Sequence, residues 1–447
     1  MLHTPRERDR LFSIMQVAFR KALPPSQYLL SGFFIIILVG SGILSLPIAI
    51  REGQHLPYID ALFTSFSAVC VTGLVTVDVA ATFTIFGRAI IAVLIMLGGM
   101  GFAAVIMSIV LILGWDVGIS QRSMLSEAYN LGGLSGTMRI VKTVILASML
   151  FQAIGMIVGL FIFLPHYAFP DALGHAAFLS ISAFNNAGFD IMGNYISMSD
   201  YRFNVLFNLL TMFLIITGGL GFFVLSDILR KRWHWQKFTM HTRIVITMTI
   251  FLIVVGTLTI AALERLDLLS ALFLSVTSRT AGFNTIDTAA LTMSSLFFVI
   301  LLMFIGASPG STGGGIKTTT TFAIFLSLMS MVVRRQPAAF KRKIPSESLL
   351  KAFQVLMLAL LTVTVGLFTL TVFEGERFSF IQITFEVVSA FATVGLSTGI
   401  TPSLGAAAKI TLMLVMFVGR LGPITVATSL KAKQSVLRHV EEQIFIG

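Results

Sequence analysis

Four segments of the chain share one pattern. They read Ser67-Ala-Val-Cys-Val-Thr-Gly73-Leu, Ser182-Ala-Phe-Asn-Asn-Ala-Gly188-Phe, Val276-Thr-Ser-Arg-Thr-Ala-Gly282-Phe and Ser389-Ala-Phe-Ala-Thr-Val-Gly395-Leu. Each puts a small or β-branched residue before the glycine and Leu or Phe after it. The chemistry such a pattern offers lies in the main chain. An extended strand ending on glycine can turn successive carbonyl oxygens toward one axis, because glycine tolerates the φ > 0 angles this needs. Four such strands would give rings of oxygens that replace the water around a dehydrated K⁺. The candidate ring residues are Val71, Thr72 and Gly73; Asn186, Ala187 and Gly188; Thr280, Ala281 and Gly282; and Thr393, Val394 and Gly395. Small residues also serve helix packing in membranes. Recurrence of the pattern in four copies favours the carbonyl reading.

The elements that must position these strands are apolar. Of 447 residues, 56% are hydrophobic and 11% charged, and the mean hydropathy is +0.93. That excludes an ordinary soluble enzyme, a disordered chain and a disulfide scaffold. Long apolar runs cover residues 27–50, 83–114, 138–165, 203–229, 243–263, 293–332, 349–373 and 406–430. Between successive pairs lie shorter stretches at 59–70, 172–185, 266–279 and 379–392. A crossing helix needs about 20 apolar residues, so the short stretches are expected to enter and leave on one side. The fold class expected is an all-α membrane protein of four parallel long–short–long units. Its divisions are a 1–25 segment, repeats at 26–114, 138–229, 241–332 and 346–430, and a 431–447 tail. Asp60, Asp171 and Asp267 suit N-caps of three short helices, with Ser379 a weaker candidate in the fourth.

Most Lys and Arg residues fall before, between or after the four units, from Arg6 and Arg20 at one end to Lys431 and Arg438 at the other. By the positive-inside rule both termini and the inter-repeat loops are cytoplasmic. The same rule accounts for the net charge of +11 without nucleic acid. The N-terminal stretch is basic and amphipathic and lacks a cleavable signal. Trp115, Trp233 and Trp235 fit interfacial anchors. The single Cys70 permits no intrachain disulfide, and the seven histidines show no metal-binding spacing.

Two further features interrupt the apolar runs. Gly306-Ala-Ser308-Pro309-Gly310-Ser311-Thr312-Gly313-Gly314-Gly315-Ile-Lys317 lies inside the sixth run. Proline and five glycines cannot sustain a helix, so the run should split around a polar loop buried in protein or facing water. A phosphate-loop reading fails, because Ile316 separates Gly315 from Lys317. Arg420 stands inside the last run, where a charge is costly unless it is paired, faces water or reaches the interface. Arg279 is expected behind its strand, and Asn185 and Asn186 beside theirs or at the mouth.

These motifs together resemble the KtrB/TrkH/HKT superfamily of potassium transporters, most closely KtrB-type subunits of bacterial Ktr systems. The likeness spans about residues 25–430. It implies a pseudo-fourfold pore in one chain, with Gly73, Gly188, Gly282 and Gly395 as filter glycines. Four glycines match K⁺-selective members, whereas some HKT relatives carry Ser in the first filter and pass Na⁺. Only Thr393-Val394-Gly395 keeps strict potassium-channel lettering, so looser selectivity is expected. The resemblance makes residues 306–317 an intramembrane gate and Arg420 an electrostatic barrier near it. It also implies a homodimer, a bacterial plasma-membrane location and a cytosolic ring of nucleotide-binding RCK-type subunits. This chain carries no nucleotide-binding fingerprint of its own, so the regulator is expected on a separate chain.

The function expected is K⁺ movement down its electrochemical gradient, with K⁺ as the carried ion. The alternative is a symporter coupling K⁺ to Na⁺ or H⁺. Proton coupling needs a titratable group in the path, and no Asp or Glu falls in mid-span; Glu386 sits in the fourth short stretch. Carbonyls can also hold Na⁺. An intramembrane enzyme finds no nucleophile–base or metal spacing.

Overall fold

A computed structural model describes residues 25–101 and 137–429. The expected N-terminal segment, the end of the second apolar run, Trp115 and the C-terminal tail lie outside them. The described chain is mainly helical, with one short antiparallel strand pair, Ala338–Ala339 with Arg342–Lys343. A long helix α1 (Pro25–Leu44) is followed by short α2 (Tyr58–Cys70) and by α3 (Ile85–Met100). The order recurs as α4 (Thr137–Phe163), α5 (Phe169–Phe184) and α6 (Val205–Leu220), continued by α7 (Phe222–Lys231). Next come α8 (Met240–Glu264), α9 (Leu268–Thr277) and α10 (Met293–Phe304), with α11 (Thr318–Val332) beyond a loop. The last set is α12 (Ser346–Glu374), α13 (Phe380–Ala392), α14 (Ala406–Leu421) and α15 (Pro423–Ser429).

By length and composition α1, α4, α8 and α12 can each cross a membrane. Large apolar side chains cover their outer faces, among them Ile35, Leu146, Leu258 and Phe368, all exposed. The pairs α6–α7 and α14–α15 pass the same test only when joined, and each is sharply bent, by 97° and 96°. The apolar runs at 203–229 and 406–430 thus each hold two helices that meet at a sharp bend. Glycines with positive φ end the helices: Gly221 at 91°, Gly422 at 86°, and Gly101, after α3, at 81°. The split expected at 306–317 is present between α10 and α11.

Three of the four short helices dock on the long helix before them by one repeated device. Ser65 Oγ donates to the Ile37 carbonyl (2.7 Å), Ser180 Oγ to Gln152 (2.6 Å) and Ser275 Oγ to Ile253 (3.1 Å). Three residues beyond each carbonyl a glycine admits the serine: a Cβ on Gly40, Gly155 or Gly256 would strike that hydroxyl. In the fourth set Gly366 meets Val387 instead. Each short helix also packs on the set before it: α5 on α3, α9 on α6, α13 on α10, and α2 on α14. The sets therefore close in a cycle.

The expected caps are partly corrected. Asp267 does cap α9, accepting from the Ser270 N–H (3.0 Å) and pairing with Arg202 (3.0 Å). Burial acts to raise the Asp267 carboxyl, but Ser270 and Arg202 outweigh it and hold it below the usual range. Ser379 closes the start of α13, its N–H and hydroxyl both donating to Gln382 Oε1. Pro57 and Ala168, not an acid, hold the cap positions of α2 and α5. Asp60 sits in the first turn of α2 and accepts from Lys409 Nζ at 2.6 Å, both side chains buried.

That pair crosses the seam between the last set and the first. Loss of either partner leaves a buried charge unpaired, at about 3–5 kcal/mol. Asp60→Asn and Lys409→Met are each expected to lower the melting temperature of the detergent-purified protein, and the double variant to recover much of the loss. Single variants that melt like the parent would remove the pair from the stability of the seam.

Candidate functional site

The four segments singled out in the sequence converge. A Cβ on Gly73 would strike the Ala187 carbonyl oxygen and lie 3.0 Å from Gly188 Cα. One on Gly188 would lie 2.7 Å from the Ala281 oxygen and 3.0 Å from Gly282 Cα. Gly282 stands in the same relation to Val394 and Gly395, and Gly395 to Thr72 and Gly73. The relation closes on itself, first segment to second, third, fourth and back.

The backbone that brings the glycines together follows one rule. In each segment the glycine and the residue two before it both have positive φ: Val71 57° and Gly73 91°, Asn186 58° and Gly188 68°, Thr280 77° and Gly282 80°, Thr393 50° and Gly395 94°. Left-handed Val71, Asn186 and Thr393 end their helices with the same paired bonds. Val71 N–H donates to Ala68 O (3.1 Å) and Thr72 N–H to Ser67 O (2.8 Å), with matching pairs at Asn186–Ala187 and Thr393–Val394. The third segment differs, the Ala281 and Gly282 N–H groups both reaching Thr277 O. Serine hydroxyls hold the glycine N–H in two segments: Ser67 for Gly73 (3.0 Å) and Ser389 for Gly395 (3.1 Å). With the N–H groups bound back to the helices, carbonyls of Thr72, Ala187, Ala281 and Val394 are left against the neighbouring glycines. The four short helices also present their C-terminal, negative dipole ends to this centre.

The loop from Ile305 to Lys317 lies against the same segments. Thr312 Oγ1 donates to the Phe184 carbonyl and to Asn186 Oδ1, each at 3.2 Å. Asn186 Nδ2 in turn donates to Thr280 Oγ1 at 3.2 Å. Gly313 and Gly314 sit so close to Thr280 and Thr393 that a Cβ would strike either threonine hydroxyl. The Ser308 N–H donates to Gly219 O (3.1 Å), and Gly310 O accepts from the Phe222 N–H (2.9 Å). Within the loop the Gly306 N–H donates to Ile316 O (2.9 Å), Ser311 Oγ to Ser308 O (2.6 Å), and Lys317 Nζ to Gly313 and Gly314 O (2.6 and 3.3 Å). Pro309 precedes Gly310, whose φ of 67° turns the chain. Arg420 donates to the carbonyls of Thr312, Gly98 and Gly99. It thus ties loop, α3 and α14 together rather than reaching outward. A cavity of about 650 Å³ opens beneath, lined by Gly99, Pro309, Ser311, Lys317 and Arg420 among others.

A family model described as "Cation transport protein" (TrkH) matches residues 30–436. The chain belongs to the TrkH family. Among curated relatives, the Ktr system potassium uptake protein B of Bacillus subtilis (strain 168) is 38% identical over 95% of this chain and 97% of its own. The potassium/sodium uptake protein NtpJ of Enterococcus hirae is 35% identical over 97% of this chain and 100% of its own. The crystal structure of the potassium transporter TrkH from Vibrio parahaemolyticus aligns with a TM-score of 0.69 at 21% identity, covering 90% of this chain and 85% of that one. The last likeness shows a shared fold.

Reading the sequence alone missed the glycines that seat this TrkH-family site. Gly98, Gly218 and Gly419 press on the carbonyls of Val69, Phe184 and Phe391, where a Cβ would not fit. Their signal was available: Gly98-Gly-Met-Gly101, Gly218-Gly-Leu-Gly221 and Gly419-Arg-Leu-Gly422 are one repeated motif. Arg279 is buried with no hydrogen-bond partner for Nε, and Asn185 Nδ2 donates to Ile181 O (2.8 Å). Cys70 is buried at the end of α2. Among the described residues no His, Cys, Asp and Glu cluster could hold a metal.

Arg420→Ala removes the side chain that holds the loop to Gly98 and Gly99. A cysteine placed at Ser311 is expected to react with a thiol reagent several-fold faster in that background. Equal labelling rates in the two backgrounds would detach Arg420 from the loop.

Proposed function

We propose that the chain is the potassium-translocating subunit of a Ktr-type uptake system. In this reading each helix set is an M1–P–M2 repeat, and the four repeats surround a pseudo-fourfold pore. The repeats are those expected at 26–114, 138–229, 241–332 and 346–430. The ring residues 71–73, 186–188, 280–282 and 393–395 form the filter, where main-chain oxygens stand in for the water of K⁺. The observation that carries the reading is the cyclic approach of Gly73, Gly188, Gly282 and Gly395.

Residues 306–317 and Arg420 form the gate. The loop abuts three of the four filter segments, and Arg420 places a positive charge beside it, which opposes a cation. The loop must shift for ions to pass. The chain works in the bacterial plasma membrane with both termini cytoplasmic. It pairs as a homodimer and is regulated by a cytosolic ring of nucleotide-binding RCK-type subunits. A membrane potential supplies about 2.3 kcal/mol per charge per 100 mV, sufficient for K⁺ accumulation without a chemical step. A second reading, Na⁺-coupled or Na⁺-carrying transport, is favoured by the relative named for potassium and sodium uptake.

Proteoliposomes loaded under K⁺, Rb⁺ or Na⁺ gradients test the proposal. Potential-driven K⁺ uptake without Na⁺ or a proton gradient is the expected outcome, and Gly188→Ala is expected to reduce it at least about tenfold. An absolute requirement for Na⁺ would select the second reading. Arg420→Ala is expected to raise K⁺ uptake or change its apparent affinity. Unaltered uptake across a K⁺ series would take Arg420 out of the gate.

A further inference from the structure

We propose that Glu386 is a positioning residue for ion selection, fixing the outward end of the fourth filter strand and so the spacing of its oxygens. Glu386 lies on α13, about one turn before Ser389, and is fully buried. Ser389 Oγ accepts from the Gly395 N–H. Glu386 takes hold just beyond. Its Oε1 accepts from Ser397 Oγ (2.6 Å), the Thr398 N–H (2.9 Å) and Thr398 Oγ1 (3.3 Å). Its Oε2 accepts from Thr401 Oγ1 (2.8 Å). The strand is therefore gripped by one helix at its glycine and again two, three and six residues later. Thr288, from the loop after the third strand, donates to the Ser397 carbonyl and joins the same network.

The other three segments have no counterpart. The matching positions hold Thr64, Leu179 and Phe273. The Thr64 hydroxyl is spent on the Asp60 carbonyl of its own helix (2.8 Å), and Leu179 and Phe273 carry no side-chain polar atom. The fourth strand is also the one with strict potassium-channel lettering, Thr393-Val394-Gly395. Discrimination between two monovalent cations depends on how firmly carbonyls are held against closing on the smaller ion. A buried acceptor facing four donors supplies that firmness, because withdrawing it leaves all four to find new partners. Glu386 touches no ion; it acts through Ser397, Thr398 and Thr401.

The inference rests on the reading of the four strands as a K⁺ filter, and the experiment separates the two. The full-length chain is reconstituted, and K⁺ and Na⁺ uptake are measured side by side. A parent protein without K⁺ preference would fail the filter reading itself. Given that preference, Glu386→Ala is expected to lower the K⁺/Na⁺ uptake ratio about tenfold without reducing Na⁺ uptake. Glu386→Gln, which keeps an Oε1 acceptor, is expected to retain most of the ratio. Equal losses for both ions at an unchanged ratio would reduce Glu386 to a stability role and overturn the proposal. Should Glu386→Ala not fold, Thr401→Val decides: it strips the Oε2 contact and the bond between the Thr401 and Ser397 hydroxyls, and leaves the three Oε1 contacts in place. A ratio lowered about threefold supports the proposal, and an unchanged ratio overturns it.

Discussion

The constraint on which the rest depends is steric: four segments of backbone approach until no Cβ fits between them. A side chain on any of Gly73, Gly188, Gly282 or Gly395 would meet the carbonyl of the next segment. Main-chain groups so deep in an apolar molecule must find partners or line a wet path. The structure settles half of that demand by binding N–H groups back onto the short helices, through paired helix-end bonds and, in two segments, a serine hydroxyl. The carbonyl oxygens of Thr72, Ala187, Ala281 and Val394 are left against the neighbouring glycines. Acceptors gathered at such a centre suit the bare cation of the proposed function.

The same steric economy spreads outward in shells. Around the central glycines, Gly98, Gly218 and Gly419 let the following helices sit directly on the carbonyls of Val69, Phe184 and Phe391. Outside those, Gly40, Gly155 and Gly256 admit the serines that anchor the first three short helices to their long neighbours. Close backbone approach is costly to maintain unless it is enforced from several directions, and here each short helix is held on both sides. Glycine lowers the stability of a helix in water. In a membrane protein it permits the close contact on which helix association depends.

Much of this was legible in the chain. Hydropathy placed the four short helices and the long α4, α8 and α12 to within about three residues, because twenty apolar residues leave few alternatives. The four ring segments were visible because each ends a short apolar stretch on the same glycine pattern. The break at 306–317 was visible because proline and glycine cluster there. The bends at Gly221 and Gly422 were not foreseen, since a lone glycine in an apolar run is compatible with an unbroken helix; only comparison of the three Gly-rich motifs exposes them. The partners of Asp60 and Arg420 were also hidden. Lys409 is 349 residues from Asp60, and Arg420 meets main-chain carbonyls 108, 322 and 321 residues away, at Thr312, Gly98 and Gly99. Local capping logic therefore assigned Asp60 to its own helix, when the last set was its partner.

The four segments are alike without being equivalent, and the differences fall where the molecule is asymmetric. The third segment ends its helix with a different bond pattern, and in its set the second long run is broken by the loop 305–317, where the second and fourth sets have a single glycine between helices. That loop returns to the ring. Thr312 donates to Asn186, Asn186 donates to Thr280, and Gly314 abuts Thr393. Displacing the loop must break bonds to residues that also set the backbone of the second and third strands. Gate and ring in the proposed mechanism therefore share atoms. A change in one is felt by the other through contacts of a few ångströms, with no need for a relay across the helices.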